Sequence, residues 1–452
     1  MEAKSNLSDR FLDIFAENRQ SIEGQSSEVM NSCRGEAIGK YRSLGIPSRS
    51  NEMYRYTNLD SFFMHDFRNY LIPVDEDLKK AEQFRCDVTE LDAHGLVLMN
   101  GFYPDLENKI RELPEGVWIG SLKEASTRFG TLIESHYGKY AKSESDGLVH
   151  LNTAMASDGV FVYVPEGIRL SKPIQIINLV YSGEDIFNQH RNLIIAGKNS
   201  EISIIICDHT LSPRRFLTNA VTEVYAGENS RFEIIRVQNE HNNAGKITHT
   251  FIHQEKNSRA SSNNITLHGG LVRNSTYHFL RGEGSESSSY GLYLADKFQH
   301  VDNYVDIEHA YPNCTSNQLF KGVLDDMATG AFNGRIFVAK DAQGTYAYQK
   351  NNSILLTEEA KMYTKPQLEI FADDVRCSHG ATVGQLDNNA LFYLRSRGIS
   401  HREAMLMLMF GFAHEVIQNI SIEPLRERMD NLVMQRLRGE LSRCASCMVK
   451  CG

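Results

Sequence analysis

The nonapeptide Gly197-Lys-Asn-Ser-Glu-Ile-Ser-Ile-Ile205 returns thirty residues later as Gly227-Glu-Asn-Ser-Arg-Phe-Glu-Ile-Ile235, and a fainter copy begins at Glu255-Lys-Asn-Ser-Arg-Ala260. A fixed period with strand residues and an Asn-Ser turn in each unit indicates stacked rungs, each covering the apolar face of the rung before. The repeat predicts a parallel β-helix. A β-sandwich fits the strand lengths but needs no repeat in register. Chance similarity remains an alternative, because Asn and Ser favour turns in any fold.

The repeat lies within a long region with the composition of a β-rich domain. From residue 93 to 385, short runs rich in Val, Ile, Phe, Tyr and Thr alternate with Gly, Asn, Ser and Asp, which is typical of many short strands. One helical insertion is expected near residues 121–157. We expect a helical N-terminal region at 1–92 and a helical C-terminal domain at 386–452. The predicted fold is therefore mainly β, with a β-helix core flanked by α-helical regions.

Start and stop signals define the C-terminal helices. Asp387 is placed to cap a first helix, which Gly398 ends. Ser400 and Glu403 form a capping box for a second helix. Pro424 lies in the first turn of a third helix.

Overall composition favours a protein whose partners are other proteins. The 452 residues are 41% hydrophobic and 23% charged, with a net charge of −9, so nucleic acid and anionic membrane are not expected as partners. The N-terminus lacks the basic cap and apolar block of a secretory signal. The longest apolar run, Ala404–Ala413, is about half as long as a membrane-spanning helix. A cytoplasmic location is expected.

One segment carries residues suited to metal chemistry. The chain from Pro366 is predicted to form a strand ending in Cys377-Ser-His379, followed by a turn bounded by Gly380 and Gly384. Residues two apart on a strand project from the same face. Cys377 and His379 would therefore present a thiol and an imidazole side by side, and both are ligands for soft transition metals. The alternative is a small buried cysteine beside a histidine that hydrogen-bonds the backbone.

Two further patterns bear on cofactors. The tail holds Cys444, Cys447 and Cys451 at a spacing close to that of metal ligands, and we assign it no defined role. No Gly-Lys pair in the chain is followed by Ser or Thr. The chain therefore has no phosphate-binding loop and no ATP site of its own is expected.

Five segments carry a resemblance to a known family. The Cys-Ser-His-Gly run within 377–387 and the helix within 391–399 resemble the signature of the SufB/SufD family, scaffold subunits of the SUF iron–sulphur cluster assembly machinery. The segments 45–49, 54–59 and 151–167 agree with the same family in the same order. The SufD branch is preferred, because the corresponding segment of SufB lacks the Cys-Ser-His-Gly run.

The resemblance implies a right-handed parallel β-helix and a non-catalytic scaffold. It further implies pairing with a SufB-like subunit through the β-helix, and docking of a SufC-like ATPase on the C-terminal helices. A homodimer is conceivable for the isolated chain. In the family, the histidine of this segment lies at the SufB–SufD junction, where a nascent iron–sulphur cluster forms transiently. That role is transferred to His379, and the neighbouring thiol role to Cys377.

Three other hypotheses stay open from the sequence. The first is that the chain is the paralogous SufB-type subunit. The second is that it is a carbohydrate lyase or hydrolase, since β-helices often carry such enzymes. The third is that it is a purely structural β-helix in which the Cys-x-His pair is buried and inert.

Overall fold

The computed structural model describes residues 2–84, 91–104, 113–141 and 144–440. Strands make up 41% and helices 28% of the structure, and a parallel β-solenoid of about eight turns forms its centre. The prediction of a mainly β chain with a parallel β-helix core and helices at both ends is confirmed.

Helices lie before the solenoid, within its first turns and after it. The expected insertion near 121–157 forms two helices, and the predicted caps at Asp387 and Ser400 accept hydrogen bonds from backbone N–H groups of α7 and α8. The α-helices are α1 (Glu2–Gly24), α2 (Glu28–Leu44), α3 (Asp60–Phe63), α4 (Asp75–Lys79), α5 (Leu122–His136), α6 (Gly147–Met155), α7 (Asn388–Ser396), α8 (His401–Ile417) and α9 (Glu423–Arg438), with 3-10 turns at Glu52–Tyr54 and Lys80–Gln83.

The strands alternate between two facing sheets. They are β1 (Arg68–Asn69), β2 (His94–Met99), β3 (Trp118–Ser121), β4 (Val160–Val164), β5 (Ile174–Val180), β6 (Ile186–Ala196), β7 (Glu201–Thr210), β8 (Phe216–Ala226), β9 (Arg231–Asn239), β10 (Ala244–Gln254), β11 (Arg259–His268), β12 (Leu271–Leu280), β13 (Glu286–Ala295), β14 (His300–His309), β15 (Thr315–Leu324), β16 (Thr329–Val338), β17 (Thr345–Leu355), β18 (Lys361–Ile370) and β19 (Val375–Gly384). Sheet A has the order β18-β16-β14-β12-β10-β8-β6-β4-β3, with β1 beside β6. Sheet B has the order β19-β17-β15-β13-β11-β9-β7-β5-β2.

The repeated Asn-Ser pairs form one corner of the solenoid. Asn199, Asn229 and Asn257 all adopt left-handed backbone, with φ of 58°, 56° and 55°, a region that Asn tolerates better than most residues. The Asn229 side-chain amide donates to the Asn199 side-chain oxygen one coil away, at 3.1 Å. The backbone N–H of Asn229 donates to the Lys256 carbonyl of the next coil. The repeat is therefore structural, and chance similarity is excluded.

Side chains that point between the sheets stack in columns, because the strands pair in register. In the early coils the interior is aliphatic: Ile204 and Ile234 of sheet B pack with Ile194 and Val224 of sheet A. The column changes character at β11. Above Ile234, the in-register residues are Ser262, Ser289, Gln318, Gln349 and finally His379. We call the Ser262, Ser289, Gln318 and Gln349 set the polar column.

Helices cover the outer faces of both sheets. The N-terminal helices and α6 pack on sheet A, and α8 and α9 pack on sheet B. The buried residues at the first contact include Phe11, Phe63, Leu151, Phe187 and Leu217, and those at the second include Ile205, Ile235, Leu292, Met409 and Leu432. Apolar burial on this scale is the main stabilising contribution to the fold.

The corner geometry gives a first stability prediction. Replacing Asn229 with Val places a β-branched residue in left-handed backbone, which costs about 1–2 kcal/mol, and removes the hydrogen bond to Asn199. We expect Asn229→Val to lower the denaturation midpoint clearly. Asn229→Gly is the control, since it loses the same hydrogen bond without backbone strain. Equal midpoints for the two variants would contradict a left-handed corner at this position.

Interior histidines give a second prediction, on pH. His190, His278 and His309 are buried, and burial lowers their pKa values to about 3, about 3 and about 4. An unfolded histidine has a pKa of about 6.5. As the pH falls from about 6.5 to about 4, the unfolded chain gains protons that the folded chain does not. Each of these histidines therefore reduces the free energy of unfolding, by up to about 1.4 kcal/mol per pH unit.

The contribution of one histidine is isolated by comparing variants. We expect the unfolding free energy of His278→Gln, measured by denaturant titration between about pH 7 and pH 5, to depend less on pH than that of the wild type, by about one proton. His401→Gln, at an exposed histidine, is the matched control for the loss of one histidine. The same pH dependence of the unfolding free energy in all three proteins would contradict this, because it would mean that His278 binds its proton over the same pH range in the folded and in the unfolded chain.

Candidate functional site

Sheets A and B end on β18 and β19. Among the described residues, β18 pairs with β16 alone and β19 with β17 alone. Each strand has 10 residues, so two long strand edges present unpaired backbone N–H and C=O groups. We call this surface, formed by β18 and β19, the open end.

The structure corrects the predicted path of the chain here. The strand expected from Pro366 to His379 is two strands: β18 ends at Ile370, and β19 starts at Val375. The predicted turn between Gly380 and Gly384 is wrong, because both glycines lie within β19. Pairing explains the difference, since β19 follows β17 in register along its whole length and backbone hydrogen bonds hold the glycines extended.

Cys377 and His379 point into the solenoid on this last rung. They stand opposite Ala347 and Gln349 of β17, which are 0% and 3% exposed. No further coil of the described ranges lies above them, and Cys377 is half-buried while His379 is exposed. The two residues share one face, as the spacing predicted. The hypothesis that both are buried is wrong for His379.

Cys377 has an apolar environment. It packs against the buried cluster that includes Ile336, Val338 and Ala347. Burial raises the pKa of the Cys377 thiol, and the backbone N–H of Ala347 offsets this only in part. The thiol is therefore protonated at neutral pH, and binding a metal there must release its proton.

His379 has a polar environment beneath it, which sequence reasoning missed. The Gln349 side-chain N–H donates to the Gln318 side-chain oxygen at 2.8 Å, and the Ser262 hydroxyl donates to Ser289 at 3.0 Å. The sequence does contain a signal for this register: Gln318, Gln349 and His379 are 31 and 30 residues apart, so they continue the period of about thirty residues. The repeat motif had faded by that point, so only strand pairing reveals the register.

Apolar side chains are exposed beside the open end. The helix α7 begins four residues after β19 ends and has no buried residue. Its Phe392 and Tyr393 are 75% and 56% exposed, and Phe371, between β18 and β19, is 60% exposed. Clustered exposed apolar groups of this kind mark interaction surfaces.

The N-terminal segment also reaches the open end. The Tyr56 ring stacks on Tyr363 of β18, with centroids 4.6 Å apart and an interplanar angle of 8°. Lys365 of β18 forms an ion pair with Glu52. The segment 54–59, noted from the sequence only for its family resemblance, therefore ties the N-terminal region to the last strand of sheet A.

The described residues contain no group of three or more His, Cys, Asp or Glu side chains arranged to hold a metal ion. Cys377 and His379 form at most a two-ligand set, whereas iron–sulphur clusters take about four protein ligands. Cys444, Cys447 and Cys451 lie outside the described residues. Cys207 and Cys314 are buried, and neither forms a disulfide within the described part of the chain.

Within the same described part of the chain, none of the helices combines the length and the apolar character needed to cross a bilayer.

Comparison with known proteins identifies the family. Residues 179–412 match the family model of the SUF system FeS cluster assembly SufBD core domain, and residues 5–176 match that of the SufBD protein N-terminal region. The chain is 30% identical over 439 residues to an iron–sulphur cluster assembly SufBD family protein of Synechocystis sp., covering 94% of this chain and 92% of the relative.

Proteins named SufD are among the relatives. The chain is 29% identical over 405 residues to the iron–sulphur cluster assembly protein SufD of Escherichia coli, covering 87% of this chain and 90% of that protein. It is 24% identical over 446 residues to SufD of Bacillus subtilis, covering 96% and 99%. Since the family models match most of its length and the similarity to these relatives extends over nearly the whole chain, this protein belongs to the SufBD family of the SUF iron–sulphur cluster assembly system.

Proposed function

We propose that the chain is a cytoplasmic, non-catalytic scaffold subunit of the SufD type, which joins a SufB-like subunit at the open end and holds part of a nascent iron–sulphur cluster there. The observation that carries the proposal is the position of Cys377 and His379. Both point inward on the last rung, where no coil in the described part of the chain covers them. A metal-binding thiol and imidazole at such a place need ligands from another molecule.

Unpaired strand edges give the partner a means of attachment. A second β-solenoid that pairs with β18 and β19 would satisfy their free backbone groups and cover the exposed face around His379. The isolated chain can make the same kind of contact with a second copy of itself. A homodimer of the isolated chain is therefore compatible with the proposal, and a SufB-like subunit would have to replace it.

The cluster is cargo in this proposal and the site is a half-site. His379 would supply an imidazole and Cys377 a thiolate, and the SufB-like partner would supply the remaining ligands. A coordination shell split between two subunits favours transient binding, because separation of the subunits weakens the hold on the cluster. Cys377 is the weaker candidate, since burial favours its protonated form.

ATP use belongs to another subunit. The chain carries no phosphate-binding loop, so we assign ATP hydrolysis to a SufC-like ATPase docked on the C-terminal region, residues 386–452. The helices α8 and α9 are fixed to sheet B, for example by the ion pair between Arg436 and Asp296 at 2.9 Å. The exposed ring of Phe392 on α7 is the docking contact we favour.

The cluster role is tested in the assembled complex. We expect His379→Ala, co-expressed with its SufB- and SufC-type partners and isolated without oxygen, to form the complex but retain less than about a tenth of the wild-type iron and sulphide. Cys377→Ala should give a smaller loss. Ser378→Ala is the matched control, since Ser378 lies on the same strand with its side chain on the opposite face. Wild-type cluster content in His379→Ala would remove His379 from the site.

The docking surface is tested by a charge substitution. We expect Phe392→Asp to reduce affinity for the SufC-type ATPase by more than about tenfold, because exposed aromatic residues are frequent binding hot spots. Calorimetric titration of the purified chain with the ATPase measures this. Met64→Asp is the control, at an apolar side chain that is 70% exposed in the N-terminal region. Unchanged affinity for Phe392→Asp would exclude α7 from the interface.

A further inference from the structure

Gln349 lies directly beneath His379 and shares its orientation. The two residues are in-register partners on β17 and β19, and neighbouring strands are about 4.8 Å apart. Both side chains point into the solenoid, where Gln349 is 3% exposed. Gln349 is therefore the polar residue of the preceding rung that stands in register with His379.

The hydrogen bonds of Gln349 leave one atom available. Its side-chain nitrogen donates to Gln318, one rung further down, at 2.8 Å. Its side-chain oxygen is buried and has no hydrogen-bond partner among the described residues. An unpaired buried acceptor is unfavourable, and a ring N–H of His379 is a donor that can satisfy it.

The opposite wall of the interior holds the amide in place. A Cβ atom added at Gly334 of β16 would lie 2.2 Å from the Gln349 side-chain nitrogen. Gln349 therefore extends across the interior as far as the backbone of sheet A, in a space that only glycine provides. Packing against Gly334 and the bond to Gln318 together restrict the orientation of this amide.

We propose that Gln349 is a positioning residue for His379: its side-chain oxygen accepts a hydrogen bond from one ring N–H and leaves the other ring nitrogen free to bind metal at the open end. This inference rests on the proposed role of His379 as a cluster ligand. Metal-binding histidines commonly donate their second ring N–H to a carbonyl or carboxylate, which fixes the tautomer and the ring orientation. Cys377 has no such support, because its neighbour on the rung below is Ala347.

The chain offers a matched control in Asn351. It lies two residues further along β17, is fully buried, and also has a side-chain oxygen without a partner in the described structure. The residue opposite it on β19 is Ala381 instead of His379. Gln349→Met and Asn351→Leu each remove one buried amide at nearly constant side-chain volume, but only the first removes the acceptor for His379.

The tautomer of His379 is the direct readout and needs no metal or partner. Ring-15N-labelled histidine in the isolated full-length chain is observed by long-range 1H–15N correlation at about pH 8.5, above the ordinary histidine pKa of about 6.5. The His379 signal is identified by its absence in His379→Ala. We expect a single tautomer in the wild type and in Asn351→Leu, and a mixture in Gln349→Met.

Two results would overturn the inference. The first is a wild-type spectrum with the tautomer mixture of a free histidine side chain, a result that needs no variant. The second is identical ring nitrogen shifts in the wild type and in Gln349→Met. This tautomer measurement is independent of the proposed function, which is tested by the cluster content of His379→Ala. If both the inference and the proposed function are correct, Gln349→Met in the assembled complex should bind the cluster about 10- to 100-fold less tightly than Asn351→Leu.

Discussion

In-register hydrogen bonding between successive coils is the constraint on which this structure depends. From β4 onward, each strand of the solenoid pairs in parallel with the next strand of its own sheet, so a residue has a fixed neighbour one coil away. The Asn corner, the aliphatic interior of the early coils and the polar column of the later coils all follow from this pairing. The same constraint leaves the final coil with two strand edges that have no partner in the described chain.

A polar interior is tolerated in a protein only where its groups find partners. In the polar column Ser262 bonds Ser289, Gln349 bonds Gln318, and the His278 ring bonds Ser262 and Ser287. One side-chain atom of each glutamine still has no partner among the described residues. Beyond β19, no described rung provides such partners for the side chains of the last rung. The open end thus combines unpaired strand edges, an exposed imidazole and a half-buried thiol, and the proposed pairing with a second subunit rests on this combination.

The C-terminal helices differ in how much of their surface is buried. The helices α8 and α9 contribute buried residues to the core on sheet B, and Arg436 of α9 donates to the Leu267 carbonyl of β11. The helix α7 has no fully buried residue. The helices α8 and α9 therefore stabilise the solenoid, whereas the exposed side chains of α7, beside the open end, are available to a partner.

The sequence by itself determined the fold class, the presence of helices at both ends and the projection of Cys377 and His379 from one face. These depend on local signals: a recurring Asn-Ser turn, helix caps and the two-residue alternation of a strand. The tertiary structure alone decided that Gly380 and Gly384 lie in a strand, that Gln349 lies beneath His379, and that Tyr56 reaches β18. Each of these depends on which strand lies beside which, and such pairing between residues distant in sequence is not encoded in any local pattern.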